Sequence, residues 1–416
     1  MARYGISIRR SIEGPRRVKD ILDVFSIFLR LGLTSFGGPV AHLGYFRREF
    51  VERRRWLDDQ SYSDLVALCQ LLPGPASSQV GFSIGLMRAG GWGGLAAWCG
   101  FTLPSALLLI AFASLAPHAQ SPVGQGLIHG LKLVAVAVVA QAVWDMGRRL
   151  CPDRPRSAIA VLAMAVLAIH PTVYSQLLVI ALGALLGAVF CRTQIARNDS
   201  VLNPEVGRLP APRVRGLLAL ATFCILLFGL PAMLTLHDMP GVRLFDAFYR
   251  SGALVFGGGH VVLPLLQQRV VATGWISPSD FLAGYGASQA VPGPLFSFAA
   301  FLGWTISAPT HRWAGAALAT VAIFLPGLLL VIAALPYYRR LRTHPTTAAM
   351  LNGVNAAIVG LLATALYSPV WISSVLSELD FAIAALCFLL LTRWKMPPFA
   401  VVLICALAGI VEFSVR

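Results

Sequence analysis

Apolar runs of about 17–25 residues recur along the whole chain, and a helix of that length crosses the ~30 Å hydrocarbon core of a bilayer. Leu95–Leu115, Leu127–Met146, Leu217–Leu236, Ala314–Leu335 and Asn352–Val370 are examples. No polar stretch between them is long enough for a separate soluble domain. Of the 416 residues, 57% are hydrophobic and only 12% charged. Soluble domains carry about 25% charge, so this chain lacks the polar surface to cover itself in water. The expected class is an all-α polytopic membrane protein.

The net charge of +15 would suggest nucleic acid in a soluble protein. Here the arginines sit in short loops beside apolar segments, the pattern in which Lys and Arg mark cytoplasmic loops. Nucleic acid is therefore not an expected partner, and the lipid bilayer is. The first nineteen residues carry Arg3, Arg9, Arg10, Arg16, Arg17 and Lys19 with no small-residue cleavage signature behind them. This tail is expected to stay cytoplasmic. Seven cysteines (Cys69, Cys99, Cys151, Cys191, Cys224, Cys387, Cys405) are scattered without a Cys-x-x-Cys pair or Cys/His cluster. They read as small hydrophobes, not as metal ligands or disulfides.

Two rare motifs occur twice in the same order. Arg30-Leu-Gly-Leu-Thr-Ser-Phe-Gly-Gly38 returns as Arg250-Ser-Gly-Ala-Leu-Val-Phe-Gly-Gly258. Each copy runs through a tryptophan, Trp56 or Trp275, to Gln70-Leu-Leu-Pro-Gly-Pro75 or Gln289-Ala-Val-Pro-Gly-Pro294. Phe36 to Pro73 is 37 residues and Phe256 to Pro292 is 36. Further on, Phe101-Thr-Leu-Pro104 meets Ile323-Phe-Leu-Pro326, Gly130 meets Gly353, and Ala184-Leu185-x-Gly187 meets Ala406-Leu407-x-Gly409. The chain divides into a basic cytoplasmic tail (1–19), a first repeat (20–192), a basic linker with an apolar helix (193–239) and a second repeat (240–416).

Loop charge reverses between the repeats. The Pro117–Pro122 loop has no Lys or Arg, whereas its counterpart Tyr337–Pro345 holds Arg339, Arg340 and Arg342. Arg148, Arg149, Arg154 and Arg156 face an uncharged counterpart, Tyr367–Leu379 in its Lys and Arg content, and His170-Pro171 faces Arg393-Trp-Lys395. The first loop agrees, with Arg47, Arg48, Arg53, Arg54 and Arg55 against a single Arg269. Positive-inside reading then points the two repeats in opposite directions, as in transporters built from inverted repeats. Leu217–Leu236 supplies the odd crossing that inversion needs. If every apolar segment crosses, six in each repeat and one between make about thirteen, with the C-terminus periplasmic.

The tail and the basic loop at 47–55 both belong in the cytoplasm yet flank one apolar segment, Ile21–Phe46. The expectation is that this segment turns back at Gly37-Gly38-Pro39 as two half-helices, and that Tyr62–Met87 does the same at Pro-Gly-Pro. Such breaks are tolerated at membrane depth only where they are buried or line a cavity. Re-entrant units would leave four crossings per repeat.

These breaks carry the candidate chemistry. A mid-helix proline removes a donor and costs ~3 kcal/mol or more, but each break exposes a new helix N-terminus with unpaired N–H groups and the positive dipole end. Candidate substrate-binding residues are Gly37, Gly38, Gln70, Pro73, Gly74, Pro75, Ser77 and Ser78 in the first repeat. Gly257, Gly258, Gln289, Pro292, Gly293 and Pro294 are their partners, with Gln79 and Ser297 as further neutral donors. Arg30 and Arg250, six residues before their Phe-Gly-Gly turns, offer a planar fork suited to an oxyanion. Snorkelling to the membrane interface, or pairing with Asp23 or Asp246, is the alternative for them. Asp64, Asp145, Asp246 and Asp280 lie near segment ends and form no midplane carboxylate cluster. Lys132 aligns with Asn355, which speaks against a shared role. His42, His129 and His260 show no ligand-like spacing; His260, beside Gly257–Gly259, is the one positioned to touch substrate.

Phe-Gly-Gly-Pro, a basic loop with Trp, then Gln-x-x-Pro-Gly-Pro together resemble the chromate ion transporter family in its long, two-domain form. The resemblance covers nearly the whole chain outside the tail and the linker. It implies a secondary transporter that exports chromate from the cytoplasm of a bacterium, driven by membrane potential or a proton gradient, and confers chromate resistance. On this resemblance the site maps to Arg30, Gly37, Gly38, Pro73, Gly74, Pro75 and to Arg250, Gly257, Gly258, Pro292, Gly293, Pro294. Gly259 stands where the first repeat has Pro39, so the two half-sites differ.

No Gly-x-x-x-x-Gly-Lys-Ser/Thr phosphate loop is present, which excludes ATP-driven transport by this chain alone. No cofactor or metal is expected. Uptake or exchange of sulfate or a related oxyanion is the alternative within transport. An intramembrane enzyme would need a nucleophile–base or metal-ligand group, and none is visible. The expected setting is the bacterial cytoplasmic membrane, with a coupling proton and a homodimer both left open.

Overall fold

The computed structural model describes residues 14–118, 121–170, 172–191, 213–237, 239–337 and 345–415. Every regular element among them is helical. The first part of the basic tail, residues 192–212 with the linker's arginines at 197 and 208, and the arginines at 339, 340 and 342 lie outside the described residues.

The first repeat contains α1 (Gly14–Thr34), α2 (Gly38–Arg47), α3 (Asp59–Leu71), α4 (Ala76–Leu115), α5 (Pro122–Leu150), α6 (Arg154–Ile169) and α7 (Val173–Phe190). The linking helix is α8 (Arg213–Leu236). The second repeat contains α9 (Pro240–Ala253), α10 (Val262–Leu266), α11 (Pro278–Ala290), α12 (Phe298–Ile306), α13 (Arg312–Ala334), α14 (Pro345–Ala365), α15 (Glu378–Thr392) and α16 (Pro398–Val415). Five stretches are long and apolar enough to cross a membrane: Ala76–Leu115, Pro122–Leu150, Arg213–Leu236, Pro309–Ala334 and Ala348–Ser374. Four contain an apolar run named from the sequence, and Pro309–Ala334 holds all but the last residue of Ala314–Leu335. Two-thirds of α8 is exposed and only Gly216 and Ala219 are buried. An apolar helix left uncovered in this way suits a lipid-facing position.

The helix breaks fall where glycine and proline predict them. Helix α1 ends at Thr34 and α2 starts at Gly38, with Gly37 (φ 100°) and Gly38 (φ 79°) making the corner. The pair α3 and α4 is split by Leu72–Pro75, with Gly74 at φ 119°. A third break falls between Tyr62–Met87 and Leu95–Leu115, which the sequence separates without placing the turn. At Ala89 and Gly90 the backbone of α4 leaves helical geometry, and Gly85 then lies against the carbonyl of Gly93. Residues eight apart in a straight helix would be ~12 Å apart, so α4 is a hairpin of two arms. Gly303 lies on Gly315 in the same way, where the chain turns between α12 and α13.

Arg88, at this hairpin turn, reaches Asp20 of α1 at 3.6 Å and stacks over Trp56 at 5.0 Å. The start of α1, the approach to α3 and the turn of α4 therefore meet at one end. Both broken excursions, Ile21–Phe46 and Tyr62–Met87, leave that end and return to it. Three of the five arginines of the basic loop there are paired: Arg47 makes a bidentate contact with Asp59 (2.9 and 2.8 Å) and reaches Glu52 at 2.7 Å, while Arg53 and Arg54 share Glu49.

Small residues set how the repeats interlock. Gly126 and Gly130 of α5 pack against Gly409 and Cys405 of α16; reciprocally, Gly353 of α14 packs against Gly183 and Gly187 of α7. Since Gly130 aligns with Gly353 and Gly187 with Gly409, each repeat places its last helix on the other repeat's equivalent of α5. All seven cysteines are free. Gly353→Leu should destabilise the protein by about 1–3 kcal/mol through overpacking. Gly91→Leu, with nothing within 4 Å of its added Cβ, should be near neutral. Thermal unfolding of the purified protein checks this, and equal midpoints for both variants would contradict the seam.

Candidate substrate site

The four corners come together across the repeat boundary. The Gly74 N–H donates to the carbonyl of Val255 at 2.7 Å, and the Gly293 N–H donates to the carbonyl of Ser35 at 2.9 Å. Each Pro-Gly-Pro corner is thus bonded to the residue just before the other repeat's Phe-Gly-Gly. A Cβ on Gly74 would lie 2.9 Å from the Cα of Gly327, and one on Gly293 would lie 2.9 Å from Ser105 Oγ. Gly327 and Ser105 follow the matched prolines Pro326 and Pro104, inside α13 and α4. Gly259 faces Pro39, with Pro39 Cγ 3.3 Å from an added Cβ, so two aligned positions touch each other.

Helix starts at these corners lack the side-chain caps found at six others. Asp58, Ser121, Asp153, Thr172, Ser277 and Ser377 each cap a helix by accepting a backbone N–H. The helical segments that start after Gly37, Pro75, Gly258 and Pro294 have no side-chain cap. Pro39 has no N–H, and those of Val261 and Ser297 go to the carbonyls of Gly258 and Pro294; the N–H groups ahead of them can serve a ligand.

Around the corners lies a contiguous set of buried polar side chains. Ser105 Oγ meets Ser297 Oγ at 2.6 Å and the carbonyl of Thr102 at 2.9 Å. His42 approaches Ser77 at 3.5 Å and packs edge-on against Phe101 at 5.2 Å. Gln79 donates to the carbonyls of Pro73 (2.9 Å) and Gly327 (3.0 Å). Ser35 Oγ, His42 Nε2, Ser78 Oγ, Gln79 Oε1 and Thr102 Oγ1 are buried without a hydrogen-bond partner. An unsatisfied buried polar atom costs roughly 1–3 kcal/mol. A concentration of them in one place is what a ligand-binding site looks like before its ligand supplies the missing bonds.

The set belongs to one side. Aligned on the repeat, Ser35 corresponds to Val255, His42 to Val262, Ser77 to Phe296, Gln79 to Phe298, Thr102 to Phe324 and Ser105 to Gly327; only Ser78 keeps its hydroxyl, in Ser297. In the second repeat those aromatic positions pack together: Phe296 on Phe324 at 5.6 Å, and Phe298 on Tyr285 at 5.8 Å. One repeat offers hydroxyls and the other a dry wall.

Among the residues picked from the sequence, the structure gathers Pro73, Gly74, Pro75, Ser77 and Ser78 with Pro292, Gly293, Pro294 and Ser297. Gly37 and Gly257 are exposed at the corners, and Gly38 and Gly258 are half-buried. His260 bonds Tyr285 Oη at 2.7 Å. Gln70 is exposed, and Gln289 turns back to Ser288 at 3.3 Å. Arg250 is held by Asp246 at 2.8 Å and by the carbonyl of Leu227 at 3.2 Å, which is the pairing alternative for that residue. Arg30 lies on an exposed face of α1. Ser35, Thr102 and Ser105 escaped sequence reasoning and His42 was set aside by it, although comparing aligned positions for polar side chains lost in the second repeat would have marked all four.

A family model described as Chromate transporter matches residues 22–188 and 242–410. The chain is 29% identical over 407 residues to the chromate transport protein of Pseudomonas aeruginosa, covering 94% of this chain and 92% of that one. It is 28% identical over 397 residues to the probable chromate transport protein of Synechococcus elongatus, covering 93% and 94%. An uncharacterized transporter of Bacillus subtilis is 32% identical over 126 residues, which is 70% of its length and 30% of this chain. No solved structure matches. With both repeats matched and helices of membrane-crossing length in each, the chain is a multi-pass membrane protein that belongs to the chromate transporter family.

Proposed function

We propose that this protein exports chromate from the cytoplasm as a secondary transporter and so confers chromate resistance. The observation that carries the reading is the meeting of four uncapped helix starts with unpartnered hydroxyls at the repeat interface. Neutral donors of this kind bind a tetrahedral dianion without a fixed positive charge that would hold it too tightly to release. The names of the relatives from Pseudomonas and Synechococcus, at nearly full length, make chromate the first candidate. A dianion leaving a negative interior gains about 2.3 kcal/mol per charge per 100 mV, so the membrane potential alone can drive export.

Opposite orientation of the repeats is part of this proposal. Reciprocal contacts such as Gly74 with Val255 and Gly293 with Ser35 fit a two-fold relation between the repeats. The reversed loop charges favour an axis in the membrane plane over one along its normal. With two re-entrant excursions per repeat, four crossings in each and α8 between them place the N-terminus inside and the C-terminus outside. Arg30 and Arg250 enter as charges that lower the cost of bringing a dianion to the corners, Arg250 while paired.

Sulfate shares chromate's shape and charge, and uptake or exchange of sulfate is the competing outcome. Expression in a chromate-sensitive bacterium should lower radiolabelled chromate content relative to an empty vector, with excess sulfate reducing the effect if the site accepts both. Chromate content equal to the control at confirmed membrane expression would count against export. Arg30→Ala should slow efflux several-fold with normal insertion; unchanged efflux would remove Arg30 from the proposal.

A further inference from the structure

Three ionisable side chains outside the corner site meet at the seam between the repeats. His129 of α5, Asp380 of α15 and Glu412 of α16 are at most 6% exposed. His129 Nε2 lies 2.5 Å from Asp380 Oδ1 and 3.9 Å from Glu412 Oε2. The other oxygen of Asp380 accepts the N–H groups of Leu376 and Ser377, both at 2.9 Å. One oxygen therefore fixes the carboxylate at the start of α15, and the other faces the imidazole.

Two ligands on one tetrahedral metal ion, with bonds of about 2.0–2.1 Å, stand roughly 3.3 Å apart. The 2.5 Å separation is instead that of a hydrogen bond. Charge counting agrees with proton chemistry. Two ionised carboxylates beside a neutral imidazole would leave two negative charges out of water, at a cost of several kcal/mol per ion. Two protons held among the three groups bring their net charge to zero. Groups this close take up protons as a set.

Few other charges face the set. On α5 itself Lys132 donates to Ser279 at 3.2 Å and lies within electrostatic reach of Asp280 and Asp380. Helix α11 contributes Asp280, and α15 adds Glu378 in its first turn. Helix α14 and the turn after it, through residue 374, carry no Asp, Glu, Lys, Arg or His. His129 lies between Gly126 and Gly130, and Glu412 three residues beyond Gly409, so both sit on the glycine seam that joins α5 to α16. Sliding along that seam would change their separation directly. The loops beside the set, 117–122 and 367–379, contain no Lys or Arg.

We propose that His129, Asp380 and Glu412 form a proton-binding site, loaded from the side of the uncharged loops, whose occupancy is tied to movement of one repeat on the other. The transport part of this inference rests on the chromate reading; proton binding does not. Infrared titration of the purified full-length protein should show a carboxylic-acid signal that Glu412→Gln loses and His129→Gln shifts. In proteoliposomes, Glu412→Gln should retain chromate counterflow between equal pools, while accumulation driven by a pH gradient falls to the level without a gradient. Three results would overturn the proposal: an infrared titration unchanged in Glu412→Gln and Asp380→Asn, gradient-driven accumulation equal to wild type, or a stoichiometric divalent metal that His129→Gln releases. Absence of chromate counterflow in the wild type would sink the chromate reading, with the infrared signal still deciding the proton site.

Discussion

Gly74→Val is expected to reduce chromate flux to background while the protein still reaches the membrane. Gly74 has φ 119°, a region that costs a β-branched residue on the order of 1–3 kcal/mol. Its Cβ would also meet the Cα of Gly327 at 2.9 Å. Relief of that contact pulls the corner off α13 and breaks the 2.7 Å bond to Val255. Gly274→Val separates strain from docking, because Gly274 has φ 75° and nothing within 4 Å of an added Cβ. It should transport close to normally. Flux in inverted vesicles, scaled to membrane abundance, reads both variants; near-normal flux in Gly74→Val would mean that the corners need not dock.

A second expected result has opposite signs for binding and stability. Ser35→Ala, Ser78→Ala and Thr102→Val each remove a buried hydroxyl that has no partner in the unliganded protein. Hydrogen bonds to a charged group contribute roughly 1.5–3 kcal/mol, so each change should weaken chromate binding about tenfold or more. Removing an unsatisfied polar atom relieves a desolvation penalty, so unliganded stability should hold or rise. Stability retained where function is lost marks residues kept for a ligand. Equilibrium dialysis and thermal unfolding on the same samples test the pair of signs. Lower stability with unchanged chromate affinity would assign these hydroxyls to packing instead.

Much of the architecture was legible because the bilayer imposes a strict length on apolar helices and because the motifs occur twice. The corners at Phe-Gly-Gly and Pro-Gly-Pro were readable for the same reason: glycine and proline act locally on the backbone. The reversal at Gly90 falls between Tyr62–Met87 and Leu95–Leu115, segments the sequence separates, and the glycines at 85, 90, 91, 93 and 94 were the hint to its place. Side-chain partnerships across the chain were out of reach. The hydroxyl of Ser105 meets Ser297, 192 residues away, and His129 meets Asp380, 251 residues away. Nothing local to either residue announces such a pair. Arg250 shows the converse, since its ion pair with Asp246 was visible at helical spacing, i to i+4.

Cysteine cross-linking of the corners reaches the main proposition directly. In a chain whose seven native cysteines are replaced, Pro39→Cys with Gly259→Cys should form a disulfide in membranes, and chromate should slow its formation. A chain that keeps only the native Cys387 and Cys405, whose Sγ atoms lie 2.8 Å apart, gives the positive control under the same oxidation. A control that closes while the 39–259 pair stays open, or closure indifferent to chromate, would contradict a dianion site where the four broken helices meet.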